Sequence, residues 1–241
     1  NTDIFVDLVD PGLAAIFANT IPEISQVNDI ISIHCVATDV AQLSLTINGE
    51  VVATAEANEL KYDYTVPAEG DYTFTFTATK GEETKIVSEQ TCVVSAPVQQ
   101  VRPKSVDMGI YYHSPAAGES LGSVTLSTYA ASKTEAAKHV FVVGDFNNWA
   151  ISNKYQMKQD GNYFWLEIDG LETKKEYAFQ YVVVRADGIT KKISDLYSEK
   201  VLHPDDQYEP KTVNPDLMDY PKGGEGYVSV LQIDKPEFEW S

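Results

Sequence analysis

Positive charge is scarce in this chain. Lys and Arg number 18 against 36 Asp and Glu in 241 residues, a formal net charge of −18. Such a field repels nucleic-acid phosphates and anionic lipid surfaces, so neither is an expected partner, whereas a neutral polysaccharide is indifferent to the sign. Cysteine is scarcer still. Cys35 and Cys92 are too few for a disulfide scaffold or a zinc cage of sulfur ligands. The four histidines, His34, His113, His139 and His203, show no ligand spacing, so no metal and no cofactor is expected. No run of about twenty apolar residues is present, which leaves no expected membrane-spanning helix. No secretory leader is present either, but Asn1 reads as the start of a mature or trimmed chain, so export stays open. The sequence has no G-x-S-x-G, no phosphate-cradling glycine loop and no Cys/His nucleophile pair. Gly223-Gly224-Glu225-Gly226 lacks a strand before it and a helix after it, and reads as a flexible loop. With 36 acidic residues, carboxylates adjacent in sequence carry no weight as a glycosidase pair, which must stand roughly 5–9.5 Å apart. Asp145, Asp205 and Asp206 read as turn caps, and no catalytic residue is assigned.

Helical periodicity is also nearly absent; Ser132 to Lys138 alone could form a turn of helix. What is present almost everywhere is period two. Ile31, Ile33, Cys35 and Ala37 fall on one face of a strand, with His34 on the other. Leu43 to Glu56 reads as a hairpin turned at Asn48-Gly49, the strongest short hairpin signal available. Further strands follow through YDYTV, GDYTFTFTATKG and TKIVSEQTCVVS, about seven in this first series. A polar stretch with two prolines, Ala96 to Lys104, ends that series. Strands resume at Val106 and continue to Ile233. The expected fold is all-β: two tandem β-sandwiches over residues 1–98 and 105–241, joined by a linker at 99–104.

The most informative segment is VVGDFNNW, Val142 to Trp149. A short apolar strand runs into four turn formers (Gly144, Asp145, Asn147, Asn148) and two large aromatics (Phe146, Trp149). A turn of this kind can hold a tryptophan at its rim, either to close a core edge or to offer a flat face to a sugar ring. In NYFWLEIDGL, Phe164, Leu166 and Ile168 form the core face, and Tyr163, Trp165 and Glu167 lie on the other. Of the 14 tyrosines, Tyr111, Tyr112 and Tyr129 read as sheet residues, while Tyr197 and Tyr208 fall in loops and suit an interface.

The segment resembles the strand and turn of carbohydrate-binding module family 48, the isoamylase N-terminal domain. MGIYYHSP, GSVTLSTYA, HVFVVGDFNNW, DGNYFWLEIDGL, KEYAFQYVV and SDLYSEKVL follow in the family's order, covering roughly residues 104 to 235. The first domain resembles the immunoglobulin-like modules that precede such domains in secreted bacterial amylases. The spacing of Cys35 and Cys92 is similar to the immunoglobulin bridge, but no tryptophan lies between them. A free, buried pair is the preferred reading, with a disulfide left open.

The resemblance implies the non-catalytic N-terminal region of an exported bacterial α-glucan hydrolase of glycoside hydrolase family 13, of the α-amylase or pullulanase type. Its location would be periplasmic, cell-surface or extracellular. Its partners would be its own catalytic barrel, for which this chain has no room, and starch-like α-glucan. Trp149, Asn148 and Trp165 are the candidate carbohydrate contacts. Family members that bind glycogen add a lysine and a second tryptophan; the aligned positions here are Ala178 and Ile189, with Arg185, Lys191 or Lys192 as substitutes. The alternative is a structural spacer or surface module without glycan binding. A glycogen-sensing regulatory subunit and an adhesin rest on weaker analogy.

Overall fold

The Asn48-Gly49 dipeptide closes a long hairpin because both residues take left-handed backbone, φ 49° and 85°, which a two-residue turn between twisted strands requires. The structure is a computed structural model, and it describes residues 12–94, 96–130, 136–187, 189–209, 212, 213, 215 and 217–236. The chain divides into two compact units, Asn1–Ser95 and Ala96–Ser241. Both are built of strands, and among the described residues the only helices are short 3-10 turns.

The first unit contains β1 (Ala15–Phe17), β2 (Ile24–Ser25), β3 (Ile30–Ile47), β4 (Glu50–Thr65), β5 (Gly70–Lys80) and β6 (Glu83–Val93). β4 runs antiparallel along one side of β3, with a bulge between Val36 and Ala41. On the other side, β1 pairs the first half of β3 and β5 the second, and β6 and β2 follow β5. The period-two reading holds along β3: Ile31, Ile33, Cys35, Ala37, Ala41, Leu43, Leu45 and Ile47 are all buried and pack with Phe74, Phe76 and Val93. His34 lies on the opposite face, 3.0 Å from Glu59. Cys35 and Cys92 are buried free thiols, and burial pushes Cys35 up to about 12 and Cys92 higher still.

The second unit contains β7 (Gly109–His113), β8 (Leu121–Tyr129), β9 (Ala137–Gly144), β10 (Lys158–Asp160), β11 (Tyr163–Glu172), β12 (Glu176–Arg185), β13 (Thr190–Ile193), β14 (Lys200–Leu202) and β15 (Val228–Gln232). One sheet has the order β10-β11-β8-β7; in the other, β12 lies between β9 on one side and β13 and β15 on the other, with β14 beyond β15. Val124, Leu126, Phe164, Leu166 and Ile168 from the first sheet meet Val140, Val142, Phe179, Tyr181 and Leu231 from the second in one core. The expected helical turn at 132–138 is not what its last residues form. Residues 131–135 lie outside the described part, but Ala137 and Lys138 open β9, where Ala137 pairs with Arg185. Sheet pairing over the core overrides the local helix preference of SKTEAAK.

Candidate functional site

β9 pairs with β12 as far as Gly144 opposite Phe179. Only glycine fits there, because a Cβ would lie 2.5 Å from the Ala178 carbonyl oxygen and 2.9 Å from Phe179 Cβ. As β9 turns away, the Asp145 carboxylate takes over as acceptor. Its Oδ2 accepts the Ala178 N–H at 2.7 Å, and its Oδ1 accepts the Trp149 indole N–H at 3.0 Å. Asn147 closes the turn, its Oδ1 accepting from Gly144 N–H and its Nδ2 donating to the Val142 carbonyl, both at 2.9 Å. Asn148 and Trp149 both take left-handed backbone, φ 53° and 61°. Asparagine tolerates this; a bulky tryptophan rarely does, and must be held there by its surroundings. Each turn former of GDFNNW therefore has a definite task, and together they fix Trp149 at the rim of the second sheet.

The alternation of β12 decides what Trp149 meets. Tyr177, Phe179 and Tyr181 point into the main core, so Ala178, Gln180 and Val182 point to the outer face. There Ala178, Leu202, Val228 and Val230 form a second apolar cluster, against which Trp149, Leu217, Met218 and Tyr220 pack. Trp149 is half-buried, whereas Asn148 is exposed.

A strap of chain, residues 220–227, also lies against the indole. A Cβ on Gly223 would fall 2.4 Å from both Cβ and Cγ of Trp149 and 2.8 Å from Cδ2. Lys192, whose register partner is Val182, donates to the Gly223 carbonyl at 3.1 Å and pairs with the Glu225 carboxylate at 3.1 Å. Gln180 donates to the carbonyls of Glu225 (2.6 Å) and Tyr227 (2.8 Å) and accepts the Glu225 N–H at 3.0 Å. The segment read from sequence as a flexible loop is thus packed and tethered. Lys192, offered from sequence as a substitute for the missing lysine, is here bound to the strap; Gly223 and Gln180 were not legible as site residues, because the signal is a fit between segments distant in sequence.

Ala178, standing where a lysine was expected, is fully buried, with no side chain to offer a ligand. Trp165, the other aromatic candidate, is only 4 % exposed. Residues 98–102 run along β10 beside it: Gln99 pairs with Gln159, the Trp165 indole donates to the Gln100 carbonyl at 2.8 Å, and Lys158 lies 4.5 Å over the ring. Arg102 completes the contact by donating to Asp160 at 3.1 Å and stacking 3.5 Å above Tyr163. The Arg102 backbone N–H, which donates to the same carboxylate at 3.3 Å, and then its guanidinium hold the Asp160 carboxyl below the usual range. In this arrangement Trp165 has no free face.

Tyr197 and Tyr208 are exposed, as expected of interface candidates. Asp206 accepts the His203 N–H at 2.7 Å, and the Asp205 N–H donates to the His203 ring, so this pair caps a 3-10 turn over Pro204–Tyr208. A cleft of about 460 Å³ opens beside that turn, lined by Asp206, Gln207, Met218, Tyr220, Pro221 and Lys222 among others. Among the described residues Asp195 is the one buried carboxylate. It accepts from the Tyr181 hydroxyl at 2.6 Å and the Tyr197 N–H at 2.7 Å, which identifies it as a structural anchor. Burial raises its pKa. Among the described residues no group of His, Cys, Asp and Glu is placed to hold a metal ion, and no helix is long and apolar enough to cross a membrane.

Residues 110–198 match the family model for carbohydrate-binding module 48, the isoamylase N-terminal domain. The match spans β7 to β13 and the whole GDFNNW turn; the 220–227 strap lies beyond it. No curated protein matches the chain. Among solved structures, the fibronectin(III)-like modules of Clostridium thermocellum CbhA align at 12% identity over 74% of this chain and 89% of theirs, with a TM-score of 0.34. SGBP-B of the Bacteroides ovatus mixed-linkage glucan utilization locus, solved with a mixed-linkage heptasaccharide, aligns at 14% identity over 76% of this chain and 46% of its own, with a TM-score of 0.27. Bacteroides uniformis beta-glucuronidase 3 aligns at 11% identity over 76% of this chain and 24% of its own, with a TM-score of 0.30. The chain thus spans less than half of the last two, and scores this low assign neither ligand nor activity.

Proposed function

We propose that residues 96–241 form a non-catalytic carbohydrate-binding module of the family 48 type. In this reading the module belongs to an exported α-glucan-active glycoside hydrolase of family 13, packs against that enzyme's catalytic domain, and contacts starch-like α-glucan through Trp149 and Asn148. The observation that carries the reading is the family match over residues 110–198, with its GDFNNW turn folded so that Asp145 fixes the Trp149 indole at the sheet rim. The net charge of −18 suits a neutral polymer and opposes polyanions. Trp165, with no free face, is assigned a structural task in place of sugar contact.

Stacking one sugar face on an indole contributes roughly 1.5–3 kcal/mol, so a single platform gives weak binding. The test is retardation of the chain in gels containing soluble starch, together with calorimetric titration of maltoheptaose. Binding that disappears in Trp149→Ala supports the reading; binding that survives the substitution removes Trp149 from it.

A second reading, a structural spacer without glycan binding, is favoured by two specific observations: Gly223 packs against the indole, and Ala178 replaces the expected lysine. Complete absence of glucan affinity, with Trp149→Ala lowering stability alone, is its signature.

A further inference from the structure

We infer that the 220–227 strap is a latch over the Trp149 platform, and that α-glucan must displace it to stack on the indole. The inference rests on the reading of Trp149 as the glucan contact.

Three observations carry it. First, the strap occupies space that a sugar would need. The Gly223 backbone approaches Trp149 so closely that any Cβ would collide with its Cβ and Cγ at 2.4 Å. The apolar cluster of Ala178, Leu202, Val228 and Val230 also packs on the indole, so the strap closes a platform that already has a floor.

Second, Trp149 does not depend on the strap for its position. Its backbone N–H donates to the Gly144 carbonyl at 3.0 Å and its indole N–H to Asp145 at 3.0 Å, both on the β9 side. With the strap lifted, these anchors remain and the indole stays presented.

Third, the strap is held by a few side-chain contacts and not by strand pairing. It contains Gly223, Gly224 and Gly226, forms no strand, and has Glu225, Gly226 and Tyr227 exposed. It is tied down by the Lys192 ammonium on the Gly223 carbonyl and Glu225 carboxylate, by the Gln180 carboxamide on the Glu225 and Tyr227 backbone, and by Tyr220 packing on the apolar cluster, while the Tyr220 hydroxyl on the Gly226 carbonyl at 3.0 Å closes the strap on itself. The Glu225 side chain is 66% exposed, so its ion pair holds weakly. Lys192 and Gln180, once released, are the hydrogen-bond donors that a stacked sugar requires for its hydroxyls.

The experiment uses the whole chain and two variants that loosen the strap while keeping both donors. Gly223→Ala drives it off the indole by steric overlap; Glu225→Ala removes only the ion pair. Acrylamide quenching of Trp149 fluorescence, taken as the difference from Trp149→Phe in each background, reports exposure, and maltoheptaose titration reports affinity. The expected result is greater quenching and several-fold tighter maltoheptaose binding in both variants, with the larger change in Gly223→Ala. Unchanged quenching in both variants overturns the latch, as does greater quenching with unchanged or weaker affinity while Trp149→Ala still abolishes binding. In those cases the platform survives. No maltoheptaose binding in any variant, even with Trp149 accessible to quencher, removes the platform reading and the latch with it.

Discussion

Asp145 carries more of the site than its place in a turn suggests. One carboxylate extends the β9–β12 ladder to Ala178 and fixes the indole of Trp149. Asp145→Ala leaves the buried Ala178 N–H without its acceptor, a loss of about 1–3 kcal/mol. Asp145→Asn keeps one acceptor oxygen and is expected to fall between that variant and the parent chain. Urea midpoints of the three proteins check the order. Gly223 shows the complementary limit of sequence reading. Its glycine is required by a close approach to Trp149, with Cβ placed 2.4 Å from the ring system, and nothing in the string GGEG announces that neighbour. Gly223→Ala is expected to destabilise the second unit by about 1–3 kcal/mol if the strap stays in place, and by less if it lifts away. Thermal unfolding distinguishes the two. The turn chemistry of Asn147 and Asn148, by contrast, was legible, because it acts within six residues.

At the scale of elements, period two placed Phe164, Leu166 and Ile168 on one face of β11 and Trp165 on the other. Parity cannot say what covers the second face. The chain before β7 does so: residues 98–102 lie beside β10 and accept the indole N–H at the Gln100 carbonyl. Trp165→Ala is expected to lose about 3–5 kcal/mol of stability and to release the amides of Gln100 and Gln159 to hydrogen exchange. Trp165→Phe, which fills most of the space and lacks the donor, is expected to lose about 1 kcal/mol and expose mainly the Gln100 segment. Equal protection of those amides in both variants would separate the segment's order from Trp165 altogether.

Over the whole molecule, the two units carry separate reporters. Cys35 and Cys92 are buried in the first unit with their thiols held protonated, so a thiol reagent is expected to find no reactive group in the native chain and two on unfolding. His139, 3 % exposed in the second unit, is shifted by burial and by nearby Lys138 from 6.5 down to about 4. The unfolded chain therefore binds the proton first. Stability is complete above pH 6.5 and falls as pH drops toward 4, with a ceiling on the order of 3 kcal/mol. Asp195 works in the opposite direction: its raised folded pKa gives stability present below the unfolded value of 3.8 and lost as pH rises through the folded one. His139→Gln is expected to flatten the decline between pH 6.5 and 4, read as urea midpoints against pH, and to leave thiol protection in the first unit unchanged. The sequence by itself determined the all-β class, the strand alternation, the Asn48-Gly49 turn and the GDFNNW turn at Trp149, because each is written in contacts between near neighbours or in a repeating period. Only the tertiary structure decided that Gly223 sits against Trp149, that Lys192 and Gln180 hold it there, and that Trp165 is sealed by residues 98–102. Those are meetings of segments distant along the chain, selected by shape and by which backbone groups still need a partner once the sheets have formed.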